Sequence, residues 1–200
     1  GADVGRVRDD LGAVEGYVAH LVSSLGVDAS LAPLKVVIDT ANGRQWQYRG
    51  SERFPMCSTF KTLLAAHVLH EAQNGGPQLQ RLYQFQRTDL VPWSPVTEKH
   101  VGTDAGMTLQ QLCEAAVVVS DNTAANLLLK ASGGPAGLTA WLRELGDGQT
   151  RLDRHEPELN TAIAGDERDS TTPAAMLSTL LLKVPAWASA SLRRGSNRSI

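Results

Sequence analysis

Apolar side chains recur at helical spacing through most of this chain and alternate at strand spacing in one place. Leu11, Val14, Val18, Leu21, Val22 and Leu25 keep to one face of a helix, with Gly26 as its stop. Residues 34–39 then read as a strand, Asn42-Gly43 as a tight turn and residues 45–48 as the returning partner. A lone hairpin is marginal in water, and nothing later in the chain offers an obvious third strand. From Ser58 onward the period is helical. Pro55 is excluded from a helix interior, whereas Phe60, Leu63, Leu64 and Val68 form an apolar stripe. A helix is therefore expected to begin at or just before Ser58 and to run to about Ala72, where Asn74-Gly75-Gly76-Pro77 breaks it.

The punctuation downstream predicts three more interior helices and a last one. Residues 90–95 form an irregular connector marked by Pro92 and Pro95. Thr108 with Gln111 resembles a capping box for a helix through Leu112, Ala116 and Val119. Asp121 caps the next, through Asn126 and Leu129 to Gly133-Gly134-Pro135, and another spans residues 136–145 with Gly146 past its end. Thr171 or Thr172 caps the last, with Pro173 in its first turn and a run to Lys183. Between these two, residues 151–169 are charged and aperiodic, a long loop of the kind that carries function.

Composition narrows the class without naming a chemistry. Two hundred residues, 42% apolar and 20% charged, suit one domain or a large and a small lobe with enough chain for a real core. A net charge of −2 makes no electrostatic case for nucleic acid or an anionic membrane surface as partner. No apolar run reaches bilayer-spanning length, and no charged-then-apolar signal peptide opens the chain. Cys57 and Cys113 allow at most one internal bridge.

Three short segments carry candidate chemistry. Ser58 and Lys61 lie three apart at a helix start, with Cβ atoms about 5–6 Å apart on one face. A hydroxyl beside an amine whose charge apolar neighbours oppose is a nucleophile–base pair, and the helix start adds unpaired N–H groups for developing negative charge. A capping serine with a surface lysine has the same spacing. Ser120-Asp121-Asn122, between two helices, presents a polar triplet from a short turn, although helix capping is the commoner role of such residues. Glu156 and Asn160, four apart in the charged loop, suit the holding of one water, as a general base requires; a solvated acidic loop is the alternative. Arg154 and Asp169, one near each end of the loop, are positioned to pair, which matters only if the pair is buried.

Order and spacing together make the chain resemble the class A serine β-lactamases, whose signature joins S-x-x-K to S-D-N and K-T-G. The resemblance runs from about Arg49 to Leu182. It rests on Ser58-Thr59-Phe60-Lys61, on Ser94-Pro95-Val96-Thr97-Glu98-Lys99-His100, on Ser120-Asp121-Asn122-Thr123-Ala124-Ala125-Asn126, on Arg151-Leu152-Asp153-Arg154 leading to Glu156, and on Asp166-Glu167-Arg168-Asp169-Ser170-Thr171-Thr172-Pro173. It implies an α+β fold of the β-lactamase/transpeptidase type, with a mostly complete all-helical lobe and an incomplete α/β lobe. Residues 1–57 would be the N-terminal helix and hairpin of the α/β lobe. Residues 58–184 would be the helical lobe with its loop 151–169, and 185–200 an unrelated disordered tail.

The same resemblance implies residue roles. Ser58 would attack the lactam carbonyl, Lys61 would help to deprotonate it directly or alongside Glu156 and a water, and Ser120 would relay a proton to the leaving nitrogen. Glu156 with Asn160 would place the deacylating water, Asn122 would hold the substrate's side-chain amide, Trp93 would wall the mouth of the site, and Asp121 would be structural. No metal or organic cofactor is implied. A β-lactam is the expected partner, with a monomer working in the periplasm or outside the cell.

The third motif departs from the pattern. None of Lys35, Lys61, Lys99, Lys130 and Lys183 begins a K-[ST]-G within these residues, and beyond Leu182 the chain is Ser/Arg/Ala-rich without periodicity. That motif's strand would supply a second oxyanion donor and a lysine for the substrate carboxylate, so the chain as given is expected to turn over little. A D,D-peptidase and an inactive remnant acylated slowly on Ser58 are the competing readings, the former opposed by Glu156 with Asn160. Both cysteines are expected to be buried and reduced.

Overall fold

A computed structural model describes residues 36–39, 45–102 and 106–180, the first two strands by their backbone alone. The expected N-terminal helix, the Asn42-Gly43 turn, residues 181–183 of the last helix and the tail 185–200 lie outside the described residues. Strands β1 (Val36–Asp39) and β2 (Gln45–Tyr48) pair antiparallel, Val36 opposite Tyr48 and Asp39 opposite Gln45, as the hairpin reading requires.

Helix α1 (Phe60–Gln73) follows a 3-10 turn at Cys57–Thr59 and ends at Asn74. It packs against α2 (Leu109–Val118), α3 (Asn122–Ala131) and α4 (Gly134–Glu144). Phe60, Leu63, Leu64 and Val68 of α1 meet Leu112 and Ala116 of α2, Ala124 and Leu128 of α3, and Leu138 and Leu142 of α4 in one buried core. The apolar stripe at 60–68 places α1 in the middle of this bundle, which takes its first turn, with Lys61, out of water. The last helix, α5 (Pro173–Ser178), lies beside β1.

Caps set the helix starts where the sequence places them. Thr108 accepts from the Gln111 amide while Gln111 answers the Thr108 amide, and Thr172 accepts from the Ala175 amide. α4 begins at Gly134 rather than 136, because Gly133 turns the chain with φ 80° and Pro135 fits the first turn. Asp121 is fully buried and does more than cap α3 through the Ala124 amide at 2.8 Å. It also accepts from the amides of Val96 (3.0 Å) and Thr97 (2.9 Å), fastening the connector before α2 to the start of α3. Replacing Asp121 by Ala leaves three buried amides unpaired, and a loss of about 3 kcal/mol or more is expected by urea denaturation.

Two short ladders have no counterpart in the sequence reading, which expected no strand after the hairpin. β3 (Phe54–Pro55) pairs with β6 (Ser170–Thr171), and β4 (Leu82–Tyr83) pairs with β5 (Met107–Thr108). Two residues are too few to show alternation. Their effect is large nonetheless: β3–β6, with the Met56 amide donating to Asp169 O at 2.9 Å, ties the chain entering α1 to the end of loop 151–169. Asp169 is itself buried and takes the Arg154 Nε at 2.5 Å and the amides of Asp153 and Arg154 at 2.8 and 2.9 Å. The Arg154–Asp169 pair is therefore not a solvated surface contact.

Candidate active site

Lys61 is the hub of the site. Its side chain enters from the first turn of α1, is 1% exposed, and ends among five oxygens from three segments. Nζ lies 3.1 Å from Ser58 Oγ, 3.0 Å from Ser120 Oγ, 2.9 Å from Ser120 O, 2.6 Å from Asn122 Oδ1 and 3.0 Å from Glu156 Oε1. An ammonium has three protons, so these five acceptors compete for them. Glu156 Oε1 has no hydrogen bond of good angle, so its partner is the Lys61 charge itself. Ser120 Oγ lies 2.8 Å from Ser58 Oγ, which closes a triangle of two hydroxyls and one amine.

The backbone is bent to achieve this. Ser120 has φ 58°, a left-handed conformation that brings both its carbonyl and its hydroxyl onto Lys61. Cys57, next to Ser58, has φ 44°, and Trp93 has φ 65°. Such conformations cost on the order of 1–3 kcal/mol each, and here all three border the same cluster.

Loop 151–169 delivers Glu156, which is 2% exposed. Its Oε2 accepts from Asn160 Nδ2 at 2.5 Å, and Asn160 is presented by the 3-10 turn Glu158–Asn160. Asn126 of α3 holds the backbone of Glu156 from the other side: Nδ2 donates to Glu156 O and Oδ1 accepts from Glu156 N, each at 2.9 Å. Asn126 was not among the site residues expected from sequence. Its signal there is a carboxamide set between Ala125 and Leu127 in an otherwise apolar helix stripe.

Trp93 is 68% exposed and is held by Val119 and by Asn122 of the triplet. Indole Nε1 donates to Val119 O at 3.1 Å, the Asn122 amide donates to Trp93 O at 2.9 Å, and Asn122 Nδ2 donates to Pro92 O at 2.8 Å. Asn122 thus has its oxygen on Lys61 and its nitrogen on the connector that carries the indole. Ser58, Lys61, Ser120, Asn122, Glu156 and Asn160 form one connected network, with Trp93 at its edge.

Cys57 corrects one expectation, since it is exposed rather than buried; the left-handed turn carries it out from under α1. Partial desolvation, and then the Glu156 carboxylate, raise its thiol above the ordinary range, so it stays protonated. Cys113 is half-buried in α2, and burial pushes its thiol up to about 11. Both cysteines are free. Among the described residues no three His, Cys, Asp or Glu side chains are grouped to hold a metal, and no helix is long and apolar enough to cross a membrane.

Residues 27–190 match the model of a family described as the beta-lactamase enzyme family. Among solved structures, a class A β-lactamase titled as the last common ancestor of Gram-negative bacteria is 56% identical, with a TM-score of 0.76, covering 90% of this chain and 69% of that one. The β-lactamase from Desulfarculus baarsii is 45% identical with a TM-score of 0.75, covering 92% of this chain and 70% of that one.

Proposed function

We propose that this chain, which belongs to the class A β-lactamase family, opens the β-lactam ring of penicillin-like compounds through an ester on Ser58. Family membership carries the general chemistry, β-lactam hydrolysis; the assignment of steps to residues rests on the distances around Lys61. The observation that carries it is the placement of Ser58 Oγ and Ser120 Oγ within 3.1 Å of one buried amine and 2.8 Å of each other, with a carboxylate 3.0 Å from that amine.

In the first half of the reaction Ser58 Oγ bonds to the lactam carbonyl carbon. Its proton passes through a water to Glu156, or to Lys61 once that ammonium has handed a proton to Glu156 at 3.0 Å, and Glu156 returns the proton to Lys61 as Lys61 supplies Ser120. As the ring C–N bond breaks, the nitrogen takes a proton from Ser120, which Lys61 replenishes at 3.0 Å. The Ser58 N–H is one oxyanion donor, at the mouth of α1 where amides are unpaired. In the second half Glu156 takes a proton from a water shared with Asn160, and the resulting hydroxide attacks the ester. The carbonyl carbon leaves Ser58 Oγ, which takes a proton from Lys61 at 3.1 Å, and Glu156 passes the proton it took from water to Lys61. Asn122 binds the amide of the substrate side chain and Trp93 walls the opening. The chain acts as a monomer in the periplasm or outside the cell, as the family generally does.

Glu156 with Asn160 favours hydrolysis over the D,D-peptidase reading, because a held water clears the ester quickly. The 200 residues given contain no K-[ST]-G, and one oxyanion donor is worth about 10²–10³ in rate. Purified 200-residue chain is therefore expected to open a chromogenic cephalosporin about 10²–10³ more slowly than an intact relative. Intact-mass spectrometry after benzylpenicillin treatment checks the route. A transient adduct mapping to Ser58 and absent from Ser58→Ala supports it, whereas penicilloate formed equally by Ser58→Ala refutes it.

A further inference from the structure

Apart from the Lys61 cluster, the most anomalous buried chemistry lies between the C-terminal half of α1 and α4. A groove of about 520 Å³ there is lined by His67, His70 and Glu71 of α1, the Ser132-Gly133 turn, and Trp141 and Glu144 of α4; it shares no residue with the Lys61 site. His67 is 4% exposed and stacks on Trp141, ring centroids 5.1 Å apart and planes 21° apart, with the His70 ring tilted 34° against the same indole at 5.7 Å. His67 Nδ1 and Trp141 Nε1 are both buried without a hydrogen-bond partner. A Cβ at Gly137 would stand 3.9 Å from His67 Cε1, so α4 closes directly over the ring.

We propose that the His67–Trp141 stack is an acid-sensitive latch: with His67 neutral it closes α4 onto α1, and on protonation this seam opens while the α1–α2 packing holds. The charged imidazolium must carry N–H on both nitrogens, and Nδ1–H has no acceptor in the closed seam. From α1, Glu71 Oε1 lies 3.6 Å from Nε2, too far for a hydrogen bond, and His70 opposes a second positive charge. From α4, Glu144 acts on His70. The turn after α3 contributes uncharged Ser132 and Gly133, and α2 lends no residue to the groove. The attraction of a cation to the indole face is smaller than the cost of burying it. Desolvation first, and His70 second, accordingly lower His67 from its ordinary 6.5 to about 4.

A group whose folded value is lowered takes up its proton first in the open state. The closed seam is at full strength above pH 6.5 and weakens as pH falls towards 4. The opening constant gains at most about tenfold per pH unit in that window, the limit for one proton.

Hydrogen–deuterium exchange at pH 7 and pH 4.5, with labelling times scaled for intrinsic rates, tests this. Residues 66–77 and 132–145 are expected to lose protection at pH 4.5 while 109–118 keep theirs, and His67→Phe removes the acid response. Unchanged protection of 132–145, loss of 109–118 at the same pH, or a His67→Phe protein that still opens overturns the latch. If His67→Phe fails to fold, the His67 ring resonances of the unaltered chain decide. Protonation below pH 5 together with opening supports the latch; protonation above pH 6 with 132–145 still protected refutes it.

Discussion

Replacing Glu156 by Gln is expected to lengthen the life of the Ser58 ester by about 10²–10⁴-fold, the usual worth of a positioned general base. Gln keeps the volume and the hydrogen bond at Oε2 but cannot take a proton from water. The substitution also removes the negative partner of Lys61, yet Nζ retains four oxygens from Ser58, Ser120 and Asn122, so the buried charge stays solvated by the protein. The fold is therefore expected to survive, which separates this variant from one that empties the position of Lys61. Mass spectrometry on a time course reads two rates. Slower loss of the adduct alone leaves acylation to Lys61, and slower appearance as well makes Glu156 the base for both halves. An adduct lifetime equal to that of the parent would remove Glu156 from the role proposed for it.

Replacing Arg154 by Met is expected to cost about 3–5 kcal/mol, the range for removing one partner of a buried ion pair. Asp169 is fully buried and keeps only the amides of Asp153 and Arg154 once the guanidinium is gone. Arg154 also reaches Thr161 Oγ1 at 2.7 Å, so both limbs of the loop hang on one side chain. The loss should fall on the loop that carries Glu156, because Asp169 is also where β3 and the entry to α1 are tied down. Urea denaturation gives the stability, and proteolysis within 151–169 shows where the chain opens. A change under 1 kcal/mol would mean that the pair behaves like an exposed one, whose worth is ~0–1 kcal/mol.

These two cases differ in how far the sequence anticipates them. Ser58 and Lys61 are three apart at one helix start, and Glu156 and Asn160 are four apart in one loop; both pairs are local, but spacing alone fits a cap and a solvated loop equally, and the order of motifs along the chain singles them out. The caps at Thr108, Asp121 and Thr172 are legible from spacing, because a cap is a contact between residues three apart. Asn126 was missed for the opposite reason: its partner is the backbone of Glu156, 30 residues away, and a carboxamide in a helix gives no sign of what it faces. The exposure of Cys57 was misjudged because a left-handed φ at a non-glycine residue is imposed by its surroundings rather than by its own preference. The ladders β3–β6 and β4–β5 were invisible because two residues carry no period.

Among the described residues, what the amino-acid order determines by itself is the presence of the interior helices, the caps at Thr108, Asp121 and Thr172, and which reactive groups share a turn. Hydrophobic period and capping chemistry act over three or four residues, so they can be read along a line. Only the tertiary structure decided that Lys61 would be stripped of water and shared by Ser58, Ser120, Asn122 and Glu156, that Asp169 would be buried against a half-buried Arg154, and that His67 would lie against Trp141 without a partner for Nδ1. Burial and proximity between distant segments depend on how four helices and a loop pack at once, and no local pattern in the chain encodes the dielectric surroundings that packing creates.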